Sequence, residues 1–304
     1  MASAGNIMQR QRYIDLFASR LAYIDEIMFE NFDAPSLSYP SVFNVRTSSR
    51  AYEETTGLTG FGQFGQKSEG GKVDYDTILQ AYDKRFTHLT FAKGYQITME
   101  AMDDDIDGAI TNAAPALSRA ARVSIETYIW NLFNLGFATE TTPDGAYLFS
   151  ASHPLVAGGT YSNLVSGDIS QANLETAINL FDNMVDDRGL PIEASPTNLV
   201  IPVELRWIVF EILKSELRHN TANNAVNSLN QISLNVIMSK YLTGDDDWFI
   251  TSDPSQHRCL VYWRQEPVTD HTLDFDTGNM KTKMTYRLSR GAADWRNVVG
   301  GLGA

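Results

Sequence analysis

The chain contains almost no cysteine. Among its 304 residues Cys259 is the single one, in the apolar context Cys-Leu-Val-Tyr-Trp. A lone cysteine excludes an internal disulfide framework and any zinc site built on cysteine pairs. Because no histidine or asparagine pattern beside it supports a nucleophile, we expect Cys259 to be a small buried apolar residue.

Long apolar runs are also missing. No window of the sequence approaches the roughly 20 apolar residues of a transmembrane helix, and the first residues lack the basic and apolar segments of a signal peptide. The sequence therefore predicts a protein that is made in a cytoplasm and has no membrane partner.

Basic residues are scarce. The chain has 24 Lys and Arg against 37 Asp and Glu, a formal net charge of −13. This balance disfavours wrapping nucleic acid, which requires cations that replace counterions, although a surface can still lie near nucleic acid. A local basic excess near the C-terminus is either a contact surface for acidic partner patches or a solvated strand face. Its residues are Lys281, Lys283, Arg287, Arg290 and Arg296.

Catalytic and metal-binding patterns are not convincing either. The run Gly60–Gly65 matches G-x-G-x-x-G, but no helix signal follows it, so a flexible loop explains its glycines better than a nucleotide site. Asp103, Asp105, Asp107 and Gly108 match half of a calcium loop, but position twelve is Ala114 instead of a glutamate. No two of the five histidines have the spacing of metal ligands. The sequence thus predicts no metal, no cofactor and no catalytic residue.

What the chain does contain is helix and strand periodicity. An amphipathic helix is predicted over 6–32, and it packs either on its own core or on another subunit. Residues 36–100 read as a long two-stranded hairpin with a glycine-rich tip over 57–71, and such a hairpin needs something to lie on. A long helix is predicted over 103–136, with Pro115 kinking it or marking its main part.

The remainder mixes helices and strands, which is typical of an α+β fold. Asp168 or Ser170 is the predicted cap of a helix over 168–187. A second helix is predicted over 202–215, and alternation over 280–289 predicts a strand with one buried face. Further strands are predicted over 198–201, 232–238, 248–250 and 259–263.

This order of elements resembles the major capsid proteins of tailed bacteriophages, which have the Hong Kong 97 fold. Short segments from about residue 90 onward resemble the Mu-like major head subunit group within that family. The segments are Arg119-Ala-Ala-Arg122, Ile125-Glu-Thr127, Ser152-His-Pro154, Gly158–Leu164, Asp187–Ile192, Leu199–Pro202, Thr221–Asn224 and Gly291–Arg296.

The resemblance implies a division of the chain. Residues 1–40 would be an N-arm and 41–100 the extended E-loop. Residues 101–195 and 266–304 would form the P-domain with its long spine helix, and 196–265 the A-domain.

The resemblance also implies partners and contact residues. Copies of the chain would form hexamers and pentamers of an icosahedral shell around double-stranded DNA, with scaffolding, portal and cement proteins as further partners. The virion would be its location, after assembly in the bacterial cytoplasm. The residues expected at contacts between subunits are Ile14, Phe17, Leu21, Ile24, Met28, Phe61, Phe64, Arg290 and Arg296.

Two other functions compete with a shell protein. A hydrolase could use the polar loop 141–164 with His153 as a base. A nucleic-acid-binding module could use the basic residues near the C-terminus.

Overall fold

A computed structural model of the chain describes residues 25, 26, 28–30, 32, 36–78, 80–98, 109–156, 158–215, 227–274, 277 and 279–303. The chain divides into two compact units. Unit 1 comprises Met1–Leu37, Leu89–Glu126 and Trp263–Leu288, and unit 2 comprises Ser38–His88, Thr127–Tyr262 and Ser289–Ala304. Most of the predicted N-terminal helix, and with it Ile14, Phe17, Leu21 and Ile24, lies outside the described residues.

The strands come in runs along the chain, and the three helices described below lie between these runs. Strands β1 to β4 are Asn44–Thr47, Tyr52–Leu58, Gln80–Thr87 and Leu89–Ile97. Strands β5 to β9 are His153–Pro154, Thr160–Tyr161, Leu164–Ser166, Asn198–Ile201 and Asn235–Met238. Strands β10 to β13 are Trp248–Thr251, Cys259–Leu273, Met280–Ala292 and Val298–Leu302. Helices α1 to α3 are Ala109–Asn134, Gln171–Asp182 and Arg206–Lys214.

In unit 1, β4 and β12 form a long antiparallel ladder. Their register runs from Met280 opposite Ile97 to Leu288 opposite Leu89. Every second residue of β12 over this range is buried, as the alternation predicted. Gly94 is required in this ladder, since a Cβ there would lie 2.5 Å from the carbonyl oxygen of Thr282.

Unit 1 also holds part of the N-terminal helix. Met28 is fully buried, and the Asp25 carboxylate accepts a hydrogen bond from the Thr269 hydroxyl at 2.6 Å. The same carboxylate lies 2.9 Å from Nε2 of His271. The described part of this helix therefore packs within its own chain, which is one of the two alternatives that the sequence left open.

Unit 2 contains a five-stranded sheet in the order β7-β13-β10-β8-β9. Its central strands β8 and β10 are buried at every residue, because α2 and α3 contribute to the same core. β10 pairs antiparallel with β8 and β13, whereas β9 pairs parallel with β8. The C-terminal strand β13 thus lies in the sheet that also holds the predicted A-domain strands.

A cluster of aromatic rings fills the rest of unit 2. Phe133 of α1 lies with its ring centroid 4.7 Å from that of Phe43 and 4.9 Å from that of Phe249. Phe149 packs at 5.1 Å from Phe249. A Cβ at Gly300 would lie 2.6 Å from the Phe149 ring, so only glycine allows β13 to approach this cluster.

Several sequence predictions are confirmed here. The strand over 198–201 has the predicted bounds, and Ser170 caps α2 by accepting a hydrogen bond from the backbone N–H of Asn173. Pro115 lies inside α1, which is continuous from Ala109, whereas the preceding residues 99–108 are outside the described part. Cys259 is buried and free of disulfides, and burial raises the pKa of its thiol.

One prediction about the hairpin is wrong. The described hairpin consists of β2 and β3, and the next strand, β4, pairs with β12 instead of extending the hairpin. A strand selects its partner by cross-strand packing, and the partner of β4 lies far away in sequence. Among the described helices, none is long and apolar enough to cross a membrane.

Candidate subunit interface

The hairpin of unit 2 is a two-stranded sheet. β2 and β3 pair antiparallel from Tyr52 opposite Thr87 to Leu58 opposite Gln80, with a register irregularity between Thr56 and Leu58. Side chains alternate between exposed and half-buried along β2. An isolated pair of strands is marginally stable in water, so a hairpin of this length is better stabilised when another surface covers it.

The tip of the hairpin, residues 59–78, exposes an unusual amount of apolar surface. Phe64 is 97% exposed and Tyr75 is 90% exposed. Phe61, Val73 and Leu58 are also more than half exposed. Exposed apolar side chains of this size, gathered in one segment, are typical of surfaces that bind another protein. Phe61 and Phe64 were predicted as contact residues, and the structure places Tyr75 and Val73 in the same tip.

The tip is attached to its own unit by Arg188. The guanidinium donates to the carbonyl oxygen of Thr77 at 2.6 Å and to Asp76 at 3.3 Å. The Asp76 carboxylate also accepts the backbone N–H of Gly62 at 2.8 Å, which joins the two sides of the tip. Hydrogen bonds from Gly62 and Thr77 hold the pKa of Asp76 below its ordinary value. Arg188 therefore anchors the tip through one ion pair and one hydrogen bond to a backbone carbonyl, and Thr59 at the base of the tip is also buried.

A cavity of about 250 Å³ lies between part of the hairpin stem and the rest of unit 2, although Phe86 of β3 packs into the unit's core. Thr56, Leu58 and Tyr82 line it from the hairpin, and Asp144 and Trp295 line it from the opposite side. The stem is thus less closely packed than the core of the same unit.

The two C-terminal arginines predicted to face a neighbour are paired within the chain. Arg290 forms an ion pair with Glu140 at 2.8 Å and lies over the ring of Tyr128. Arg296 forms ion pairs with Asp187 at 2.8 Å and with Asp294 at 3.1 Å. Both side chains are about nine-tenths buried, at 9% and 11% exposed. A further contact of either residue with a second subunit stays a prediction.

His153 lies at the centre of a buried polar network. Its Nδ1 is 2.7 Å from the Asp144 carboxylate, and its Nε2 is 3.0 Å from the side-chain oxygen of Asn163. Its ring stacks on Trp295 at 4.4 Å between centroids. Burial works to raise the pKa of Asp144, but hydrogen bonds from His153 and Thr142 outweigh it and lower the pKa.

This network leaves His153 no role as a base. The side chain is fully buried, and each ring nitrogen lies within hydrogen-bond distance of a side-chain oxygen, of Asp144 or of Asn163. Among the described residues, no group of histidine, cysteine, aspartate and glutamate has the arrangement of a metal site. The geometry supports a structural role for the loop 141–164.

Comparison with known families settles the class of protein. A family model described as phage capsid protein matches residues 81–300, well over half of the chain. The chain belongs to the phage capsid protein family. It is a major capsid protein, as the resemblance implied, and the virion is where such a protein resides.

Solved structures show the same fold for this capsid protein. A structure from Mycobacterium phage Adephagia matches with a TM-score of 0.57 at 15% identity, covering 86% of this chain and 88% of that chain. The bacteriophage JBD30 capsid matches with a TM-score of 0.57 at 17% identity, covering 70% and 92%. The capsid of cyanophage P-SCSP1u matches with a TM-score of 0.56 at 12% identity, covering 88% of each chain. The predicted α+β capsid fold is therefore confirmed.

No curated protein matches the capsid protein in sequence. The narrower likeness to the Mu-like group, and the division into N-arm, E-loop, P-domain and A-domain at the stated boundaries, stay predictions.

One exposed surface of the capsid protein was missed by the sequence reasoning. Trp207 and Phe210 on α3 are 74% and 62% exposed, although both are large and aromatic. The helix pattern predicts Leu205, Val209, Ile212 and Leu213 as inward positions, and the structure buries all of them except Ile212, which is partly buried against the same core. The sequence could have indicated this exposed surface, because Trp207 and Phe210 lie outside the apolar stripe that faces the core.

Proposed function

We propose that copies of this capsid protein assemble as hexamers and pentamers into an icosahedral shell that encloses double-stranded phage DNA. The observation that carries the proposal is the hairpin tip, with Phe64 and Tyr75 almost fully exposed. Exposed aromatic side chains are the residues that most often dominate binding between proteins. A neighbouring subunit would cover them and would also stabilise the two-stranded stem.

The N-terminal arm would supply a second contact. Its apolar stripe, at Ile14, Phe17, Leu21 and Ile24, would dock on an adjacent subunit. Only Met28 of the predicted stripe is described, and it is buried within its own chain. We therefore propose that the arm contacts both its own subunit, near Met28, and a neighbour, through the residues before Asp25.

The DNA would be held without sequence-specific binding. The net charge of −13 disfavours strong binding of nucleic acid. Four of the five C-terminal basic residues form ion pairs with acidic residues of the same chain, which leaves little free positive charge. A nucleic-acid-binding module is thus a poorer account of these residues than a shell protein.

Other proteins of the particle would complete the assembly. One capsid of bacteriophage JBD30 is described as decorated with minor capsid protein trimers. We propose a comparable cement protein here, together with separate scaffolding and portal proteins and assembly in the host cytoplasm. The capsid protein itself would act as a structural protein and not as an enzyme.

Electron microscopy of the expressed protein tests the proposal. Wild-type protein is expected to form shells or rings. The double variant Phe64→Asp with Tyr75→Asp should remain a folded monomer and need a concentration at least about tenfold higher to assemble, since two aromatic anchors are lost. The matched control Phe64→Leu with Tyr75→Phe keeps the tip apolar and should assemble normally. Normal shells from the aspartate variant would contradict a role for the tip.

A further inference from the structure

The short helix α3 has two apolar faces, and only one of them is used within the chain. Leu205, Val209 and Leu213 are buried in the core of unit 2. Outside that buried stripe, Trp207 and Phe210 are 74% and 62% exposed. Residues three or four apart in a helix are neighbours, so these two rings form one continuous surface.

A groove of about 440 Å³ runs beside this face. Phe210 lines it from the helix, and Leu234, Val236 and Met238 line it from β9 and the residues before it. β9 is the edge strand of the five-stranded sheet, so its outer side has no strand partner among the described residues. An uncovered apolar helix face beside an open sheet edge is the kind of surface that a partner covers.

The charges around the groove indicate what that partner carries. Arg206 and Lys214 are the charged residues that line it, and no aspartate or glutamate does. No carboxylate of the described residues forms an ion pair with either cation, and the Arg206 guanidinium lies 5.4 Å from the Trp207 ring centroid. Glu204 and Glu211, beside and on the same helix, are exposed but do not line the groove, so the basic surface is the groove itself. On a chain with a net charge of −13, a basic groove favours an acidic partner.

The same chain carries a matching acidic surface. Asp245, Asp246 and Asp247 lie in the turn that leads into β10, and Asp245 and Asp246 are exposed. Burial and the neighbouring Asp246 raise the pKa of Asp247, so a cation brought to this turn would relieve repulsion. The backbone N–H of Gly303 donates to the Asp247 carboxylate at 3.2 Å. The residue before it, Leu302, is 39% exposed and adds apolar area beside the acidic turn. No described lysine or arginine forms an ion pair with these three aspartates.

We propose that the groove beside α3, with Arg206, Phe210 and Lys214, binds the Asp245–Asp247 turn of a second copy of the chain. This inference rests on the proposed assembly into rings and names the residues that join one copy to the next. Two different surfaces of one chain that fit each other make a heterologous contact, and such contacts repeat head to tail until a ring closes. Arg206 and Lys214 of one copy would face Asp245 and Asp246 of the next.

Disulfide trapping between two variants tests the contact directly. Subunits with Phe210→Cys are mixed with subunits with Asp246→Cys, oxidised and separated on a denaturing gel. The native Cys259 is buried, so it should not interfere. The mixture is expected to give cross-linked dimers, and the chain with both substitutions a ladder up to the size of the ring. A dimer from Phe210→Cys alone would instead mean that two α3 helices face each other, which would overturn the proposal.

Charge reversal tests the same contact without a cross-link. The double variants Arg206→Glu with Lys214→Glu, and Asp245→Lys with Asp246→Lys, should each reduce the assembled fraction about tenfold or more, because like charges would then meet. An equimolar mixture of the two is expected to recover rings in which they alternate. Glu193→Lys, an exposed charge reversal outside both surfaces, serves as the control and should assemble normally.

The outcomes separate this inference from the proposed function. Wild-type shells together with normal assembly of both charge-reversed variants would refute the α3 contact and leave the shell intact as a function. Wild-type protein that forms no assembly at all would refute both.

Discussion

The hairpin tip and the network around His153 are built in opposite ways, although both belong to unit 2. The tip exposes its aromatic residues and is anchored by Arg188, whose ion pair with Asp76 is partly exposed. The network buries His153 and Asn163 completely and Asp144 largely, and it pairs each of them more than once. The tip therefore leaves apolar surface uncovered within its own subunit, whereas the polar groups of the network are paired within the chain.

This difference indicates how a capsid subunit separates two requirements. A shell needs subunits that keep their shape, and it also needs segments that accept a neighbour. Buried, fully bonded polar groups define one arrangement of the chain, since any alternative leaves donors or acceptors unpaired. A loosely anchored hairpin can adapt to the surface that receives it at little cost to the rest of the unit.

The largest loss of folding stability is expected from removing the side chain of Asn163. Its amide donates to the carbonyl oxygens of Leu148 and Val298 at 2.8 and 3.2 Å, and its oxygen accepts the N–H of Ser150 at 2.9 Å. Asn163→Ala leaves these buried groups without partners and should lower the free energy of unfolding by about 3 kcal/mol or more. Urea unfolding of the monomer measures the change.

The control for Asn163 is Asn183→Ala. Asn183 is an exposed residue at the end of α2, where its side chain donates to the carbonyl oxygen of Asn179 at 2.8 Å. Its loss should cost about 0.5 kcal/mol or less, as for most surface positions. Similar losses for the two variants would contradict the contrast between the buried network and the surface.

The next largest effect is a loss of folding stability at low pH, which we expect from His257. Its Nε2–H donates to the carbonyl oxygen of Val42 at 2.7 Å, and its Nδ1 accepts the N–H of Cys259 at 3.3 Å. Burial lowers its pKa from 6.5 to about 4. The unfolded chain therefore binds a proton that the folded chain does not between these values, and stability is lost as the pH falls through this window.

The size of the pH effect follows from the same pKa values. Between pH 7.5 and pH 4.5, this histidine should reduce the free energy of unfolding by about 2.5 kcal/mol. His257→Gln keeps a donor towards Val42 and cannot titrate, so its unfolding free energy should fall less over the same interval. Urea titrations at the two pH values make the comparison, and equal losses in wild type and variant would refute the assignment.

Sequence reasoning predicted the elements that depend on local pattern. The strand β8 was predicted with its observed bounds because Asn198–Ile201 is a short, fully buried run. The alternation of buried and exposed residues along β12 was also predicted, because it follows directly from the alternation of apolar and polar residues in the sequence. The pairing of β4 was not, because a period of two identifies a strand but not its partner.

The candidate site shows the same limit. The segments that resemble capsid proteins included His153, Asn163 and Trp295, yet only the fold brings these three together. Phe61 and Phe64 were predicted as contacts, and the structure exposes both, but it shows no partner that would test the contact. Arg188 was part of a recognised segment, but its bond to Asp76 joins residues far apart in sequence.

The smallest effect on stability is expected from cutting the anchor of the tip. Arg188→Ala removes an ion pair whose two side chains are 21% and 40% exposed, so the free energy of unfolding should change by less than about 1 kcal/mol. The tip, however, should open more often, and limited proteolysis should cleave within residues 59–78 several times faster than in wild type. Arg188→Lys retains the charge and should give an intermediate rate. An anchored tip and a free tip should differ in this cleavage rate but hardly in the free energy of unfolding of the whole unit. Equal cleavage rates in all three proteins would therefore mean that contacts other than Arg188 hold the tip.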